Sequence, residues 1–123
     1  MRAHVLIIDE SATLRRMLAG ALLEDGMTTV QAKDAEEGFA ILERGGVDLA
    51  LVAFHMNKMN GLEFIVHARQ FDALKNMPVV LLTSEVSEDI RKRSMDAGAR
   101  AFIRKPVSTM ELMATIRRVL EEA

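Results

Sequence analysis

The chain has 123 residues, a length that suits one domain around one hydrophobic core. Half of the residues are hydrophobic and 28% are charged, which excludes a disordered polar chain, and the absence of Cys excludes disulfides, thiolate metal sites and Cys nucleophiles. Lys and Arg total 16 against 18 Asp and Glu, a formal net charge of -2, and the five aromatic residues are all Phe. Neither feature suits a surface that neutralises phosphates broadly or stacks bases, so no direct nucleic-acid binding is expected.

Taken in chain order, short apolar runs alternate with amphipathic stretches. The first run, residues 5–8, is too short for a signal-peptide core, and no stretch approaches the ~18 apolar residues of a membrane span. A cytoplasmic protein is expected. Residues 12–25 place Leu14, Leu18, Ala21 and Leu22 at helical spacing, and Gly26 follows as a terminator. A second run covers residues 28–32. Asp34 with Glu37 then reads as a helix cap before Phe39, Ile41 and Leu42, and Gly45-Gly46 closes that helix. A third run covers residues 49–52, and Asn60 with Glu63 caps the helix that contains Phe64 and Ile65. The fourth run is residues 79–82. The weakly apolar stretch 88–97 follows, with Ile90 and Ala97 as its inward positions, and Gly98 ends it. Residues 101–103 form the fifth run. Ser108 with Glu111 has the pattern of a full capping box before Met113, Ile116 and Leu120.

Continuous apolar runs of four or five residues suit strands buried on both faces of a parallel sheet. Five strand–helix units over residues 1–123 predict a single α/β domain, a three-layer (βα)5 sandwich of the flavodoxin-like class. The expected strand order is 2-1-3-4-5, with the site beyond the carboxyl ends of the strands.

Four groups lie at those ends: Asp9 and Glu10 after the first strand; Ala53, Phe54 and His55 after the third; Thr83 and Ser84 after the fourth; Lys105 and Pro106 after the fifth. Two adjacent carboxylates need cationic compensation. A hard divalent ion accepts oxygen ligands of this kind, a lysine supplies a point charge, and a threonine hydroxyl donates to a phosphoryl oxygen. This is equipment for phosphoryl transfer, short of one part, because Ala53 is neither nucleophile nor ligand.

The motifs Ile8-Asp9-Glu10-Ser11, Met56-Asn57-Lys58-Met59-Asn60-Gly61, Leu82-Thr83-Ser84 and Lys105-Pro106, in that order, resemble the receiver domain of two-component response regulators, most closely the compact CheY-like type. The resemblance runs from Val5 to Leu120 and implies a His-Asp phosphorelay. In it, an aspartate at the end of the third strand takes a phosphoryl group from a sensor histidine kinase or phosphotransfer protein. It further implies that Asp9, Glu10 and the backbone carbonyl of His55 bind Mg2+, that Thr83 and Lys105 contact the phosphoryl group, and that Phe102 is a rotating switch residue. A cis Lys105–Pro106 bond is also implied. A downstream target is expected on the face made by the fourth helix, fifth strand and fifth helix. Family members catalyse their own phosphorylation and dephosphorylation, whereas this chain is not expected to act as an enzyme.

The phosphoacceptor position is Ala53, and Asn57 replaces the usual proline of the next loop. A methyl group cannot form an acyl phosphate, and one fewer carboxylate implies weak or absent Mg2+ binding. In its absence, Lys105 is expected to pair with Asp9 or Glu10. Two origins of Ala53 fit: an Asp→Ala replacement that locks an otherwise competent receiver in its inactive state, or a naturally degenerate receiver acting as a phosphorylation-independent interaction module. The joint survival of Asp9, Glu10, Thr83 and Lys105 favours the replacement. A flavin binder on the same fold is disfavoured by the lack of Trp and Tyr for ring stacking. The histidines His4, His55 and His67 share no metal-ligand spacing.

Overall fold

The structure, a computed structural model, describes residues 2–85 and 87–122. Five parallel strands, β1 (His4–Ile8), β2 (Thr28–Ala32), β3 (Leu49–Ala53), β4 (Val79–Thr83) and β5 (Ala99–Arg104), form one sheet in the order β2-β1-β3-β4-β5. The helices α1 (Ala12–Glu24), α2 (Ala35–Glu43), α3 (Gly61–Ala68), α4 (Glu88–Ala97) and α5 (Thr109–Glu122) follow them in turn. This is the predicted flavodoxin-like order.

Alternation along the strands divides the core in two, because successive side chains point to opposite faces. Val5, Ile7, Leu49, Leu51, Val80 and Leu82 pack with Leu18 and Leu22 of α1 and Leu112 and Ile116 of α5. Leu6, Ile8, Ala50, Val52 and Leu81 pack on the other face with Leu42 of α2 and Phe64 and Ile65 of α3. Every residue of β3 and β4 is buried, as the uninterrupted apolar runs predict.

β5 is longer than its apolar run. It is an edge strand with alternating burial, so the partly buried Arg100 and the exposed Arg104 bound the apolar run at its two ends. A bulge helps: Val79 pairs with Ala99 and Val80 with Ala101, leaving Arg100 as the extra residue. The short 3₁₀ turn at Asp72–Leu74 carries no apolar periodicity and went unpredicted.

The caps differ in kind from their sequence patterns. Asn60 and Glu63 form a complete capping box, with bonds of 2.8 and 2.9 Å. At α5 the Ser108 hydroxyl accepts from the Glu111 amide at 3.3 Å, and no return bond from the Glu111 side chain is present among the described residues. At α2 the Asp34 carboxylate accepts from the Glu37 amide, while the Glu37 side chain reaches back to the amide of Lys33. Gly26, Gly45, Gly46 and Gly98 all take positive φ after helices, as expected. In α4, Ile90 and Ala97 are partly buried, but the fully buried residue is Ser94.

The parallel register puts the ends of the strands at one edge. Ile8 pairs with Val52, Ala53 with Leu82, and Thr83 with Arg104. Asp9, Ala53, Thr83 and Lys105, up to 96 residues apart, therefore share that edge.

Candidate functional site

Asp9 lies at the centre of this edge and is only 3% exposed. A buried carboxylate requires partners, and each of its oxygens has one. Lys105 Nζ donates to Oδ2 at 2.8 Å across the sheet. The Ser11 amide donates to Oδ1 at 2.9 Å, and the Ser11 hydroxyl caps α1 through the Leu14 amide. The expected pairing of Lys105 therefore falls on Asp9, not on Glu10. Arg15, one turn into α1, donates to the Asp9 carbonyl, and its Nε donates to Gln31 Oε1 at 3.2 Å. Sequence reasoning missed Arg15, because a helical arginine carries no signal of a partner six residues upstream.

Glu10 is exposed and turns to the loop after β3, where its Oε1 accepts from the Asn57 amide at 2.8 Å. In that loop Lys58 takes φ 70°, a left-handed conformation unusual for a residue with a Cβ. The loop is closed by a 2.7 Å bond from the Gly61 amide to the Phe54 carbonyl. His55 is exposed, with its ring edge-on to Phe54.

Thr83 is buried, and its hydroxyl donates to the Glu85 carbonyl at 2.8 Å while accepting from the Glu85 amide at 3.1 Å. The Lys105 amide donates to the Thr83 carbonyl at 2.9 Å, and the Lys105–Pro106 bond is cis. Phe102 is half-buried, in register with Leu81, and packs in the same cluster as Ile90 and Ala97 of α4.

Ala53 ends β3 with 1% exposure, so a methyl group occupies the middle of this edge. Of the oxygen donors that the resemblance implies for Mg2+, the set is reduced to the Asp9 and Glu10 carboxylates and the His55 carbonyl. Both oxygens of Asp9 and one of Glu10 are already bonded within the protein. No group of three or more His or acidic side chains is placed to hold a metal among the described residues. The donor set thus fits a resident Mg2+ poorly, and the ammonium of Lys105 supplies the positive charge beside Asp9. His4 and His67 stand apart: His4 Nδ1 lies 2.7 Å from Thr28 Oγ1, and His67 packs edge-on to Phe39.

Among the described residues no helix is long and apolar enough to cross a membrane. The response regulator receiver domain matches residues 5–117. The phosphate regulon transcriptional regulatory protein PhoB of Escherichia coli is 31% identical over 98% of this chain and 52% of its own length. The chain thus spans about half the length of PhoB. The chemotaxis protein CheY of Pseudomonas aeruginosa is 28% identical, with 95% of each chain covered. Among solved structures, the Vibrio cholerae chemotaxis protein CheY4 superposes with a TM-score of 0.91 at 28% identity, covering 97% of this chain and 99% of that one. Sheet order, the convergence at the strand ends and these matches agree, and the chain belongs to the response regulator receiver domain family.

Proposed function

We propose that this receiver domain of a two-component His-Asp phosphorelay is held unphosphorylated by Ala53, which stands where the phosphoacceptor aspartate belongs. The observation that carries the reading is the buried Ala53 methyl at the end of β3, beside an Asp9 already neutralised by Lys105. Without a carboxylate at that position there is no nucleophile to take a phosphoryl group. The chain then has no autophosphorylation or dephosphorylation to catalyse and acts as a signalling module, not an enzyme.

The surviving Asp9, Glu10, Thr83 and Lys105 support an Asp→Ala replacement in an otherwise competent site. In such a site Thr83 and Lys105 would contact the phosphoryl group, and Phe102 would follow Thr83 as the switch residue. Mg2+ held by Asp9, Glu10 and the His55 carbonyl would neutralise phosphoryl oxygens when bound. With Ala53 in place it must compete with Lys105 and the Asn57 amide, so its binding is weak or absent. A naturally degenerate, phosphorylation-independent interaction module is the second reading. The internal bonds of Glu10 and Thr83 favour it, since both groups are satisfied without a phosphate.

The partners in either case are a sensor histidine kinase or phosphotransfer protein, and a downstream target on the α4–β5–α5 face. Neither reading involves direct nucleic-acid or membrane contact by this domain, and its place is the cytoplasm. The test is Ala53→Asp treated with radiolabelled acetyl phosphate or phosphorylated kinase. Mg2+-dependent, base-labile labelling is expected. No labelling by any competent donor would overturn the replaced-aspartate reading and leave the interaction module.

A further inference from the structure

α4 is seated differently from the other four helices. Each of those buries at least one large apolar side chain, Leu18 in α1, Leu42 in α2, Phe64 in α3 and Ile116 in α5. In α4 the buried residue is Ser94, while Ile90 and Ala97 are only partly covered. Ser94 is fully buried, and its hydroxyl makes no hydrogen bond among the described residues. A buried hydroxyl without a partner carries its desolvation penalty uncompensated. Seating α4 therefore gains little from apolar burial and is opposed by this one group. The helix itself is well made. Ser87 Oγ accepts from the Ile90 amide at 3.1 Å, Glu88 and Asp89 lie in the first turn, and Gly98 ends it at φ 118°.

The carboxyl end of α4 is held by a cation. Arg69, which caps α3, donates from Nη1 to the Leu74 carbonyl at 2.7 Å and from Nη2 to the Gly98 carbonyl at 3.3 Å. Leu74 is the last residue of the 3₁₀ turn and Gly98 caps α4. Carbonyls at helix ends lack intrahelical donors and carry partial negative charge. The guanidinium forms no ion pair with a carboxylate among the described residues. Burial, together with the charge of Arg100, pushes it below its ordinary value. Gly98 leaves room for it, since a Cβ there would lie 3.1 Å from Arg69 Nε. One half-buried arginine thus ties α3, the 3₁₀ turn and α4 together through charge-assisted bonds.

We propose that α4 is a latch that opens as a unit well below global unfolding, pushed off its seat by the orphan Ser94 hydroxyl and held on it by the Arg69 clasp. The proposal is independent of phosphorylation and stands whichever origin of Ala53 holds. A protein that bound only one position of α4 would shift this equilibrium by its preference. The test is native-state hydrogen exchange of the full chain, read amide by amide by NMR in low urea. The hydrogen-bonded amides of α4 are expected to be at least about tenfold less protected than those of α3 and α5, with little dependence on urea. Ser94→Ala should raise their protection at least about tenfold, beyond the roughly twofold that alanine adds through helix propensity. Arg69→Met, checked for folding by circular dichroism, should lower it at least about tenfold, and Arg69→Lys, which keeps the charge, should lower it less. Amides of α4 as protected and as urea-sensitive as those of α3, a Ser94→Ala chain with unchanged α4 protection, or an Arg69→Met chain that retains it would each overturn the proposal.

Discussion

Lys105 and Asp9 form the ion pair across the strand-end edge. The carboxylate is nearly inaccessible while the lysine side chain keeps 30% of its exposure, so the pair is half in water. Removing the lysine would leave Asp9 with only the Ser11 amide and the low dielectric around it. Lys105→Ala should therefore lower the unfolding free energy by about 1–3 kcal/mol, measured by urea denaturation at neutral pH. An unchanged midpoint would mean that the bridge contributes nothing to the fold. Asp9, Glu10, Thr83 and Lys105 were all legible as strand-end residues, because short buried strands announce where they stop. Their partners were less so. The Asn57 amide on Glu10 and the Glu85 main chain on Thr83 depend on loop conformation, which side-chain identity does not encode.

Among the elements, α3 shows how tightly the loop beside the site is held. A Cβ on Gly61 would lie 2.7 Å from Leu81 Cδ2 and 3.1 Å from the Cα of Phe54, and the backbone contact cannot move aside cheaply. Gly61→Ala should cost about 1–3 kcal/mol and displace the β3–α3 loop. Thermal unfolding reads the first effect and the loss of protection at the Asn57 amide reads the second; a variant as stable as the parent would contradict both. The Asn60–Glu63 box was visible as a pattern and is complete, while the similar Ser108–Glu111 pattern is only half made. The two patterns differ in whether the second side chain returns to the cap amide, a choice that spacing leaves open. β5 was underestimated for another reason: an edge strand buries alternate residues, so Arg100 and Arg104 interrupt the apolar signal that marks β3 and β4.

Across the whole molecule, Arg117 of α5 makes a forked bond to Asp25, the residue that ends α1. The hydrogen bond from Arg117, aided by its charge, holds the Asp25 carboxyl below its usual value, and the carboxylate raises the Arg117 guanidinium in return. A carboxyl lowered on folding stabilises fully above its unfolded value, and that stability is lost as pH falls through the lowered one. Arg117→Ala should therefore lower the melting temperature at neutral pH, and the difference from the parent should vanish in acid. A difference that persists unchanged at about pH 2 would assign the loss to packing instead. An aromatic row between α2 and α3 belongs to this scale too. Phe39, Phe64, His67 and Phe71 meet because two helices dock on one sheet face, so no local pattern foretold it. The strand order and the shared edge were legible because five buried runs with crossover helices leave few alternatives. That edge brings together Asp9, Thr83 and Lys105, the residues proposed for a phosphoryl-accepting site, with Ala53 at the proposed acceptor position. Under the proposed function Ala53 leaves the domain without a phosphoryl acceptor, and the intact mass of the unmodified chain after treatment with acetyl phosphate and Mg2+ tests this most directly. The mass is predicted to stay unchanged; a base-labile phosphoryl adduct on Asp9, Glu10 or any other carboxylate would contradict it.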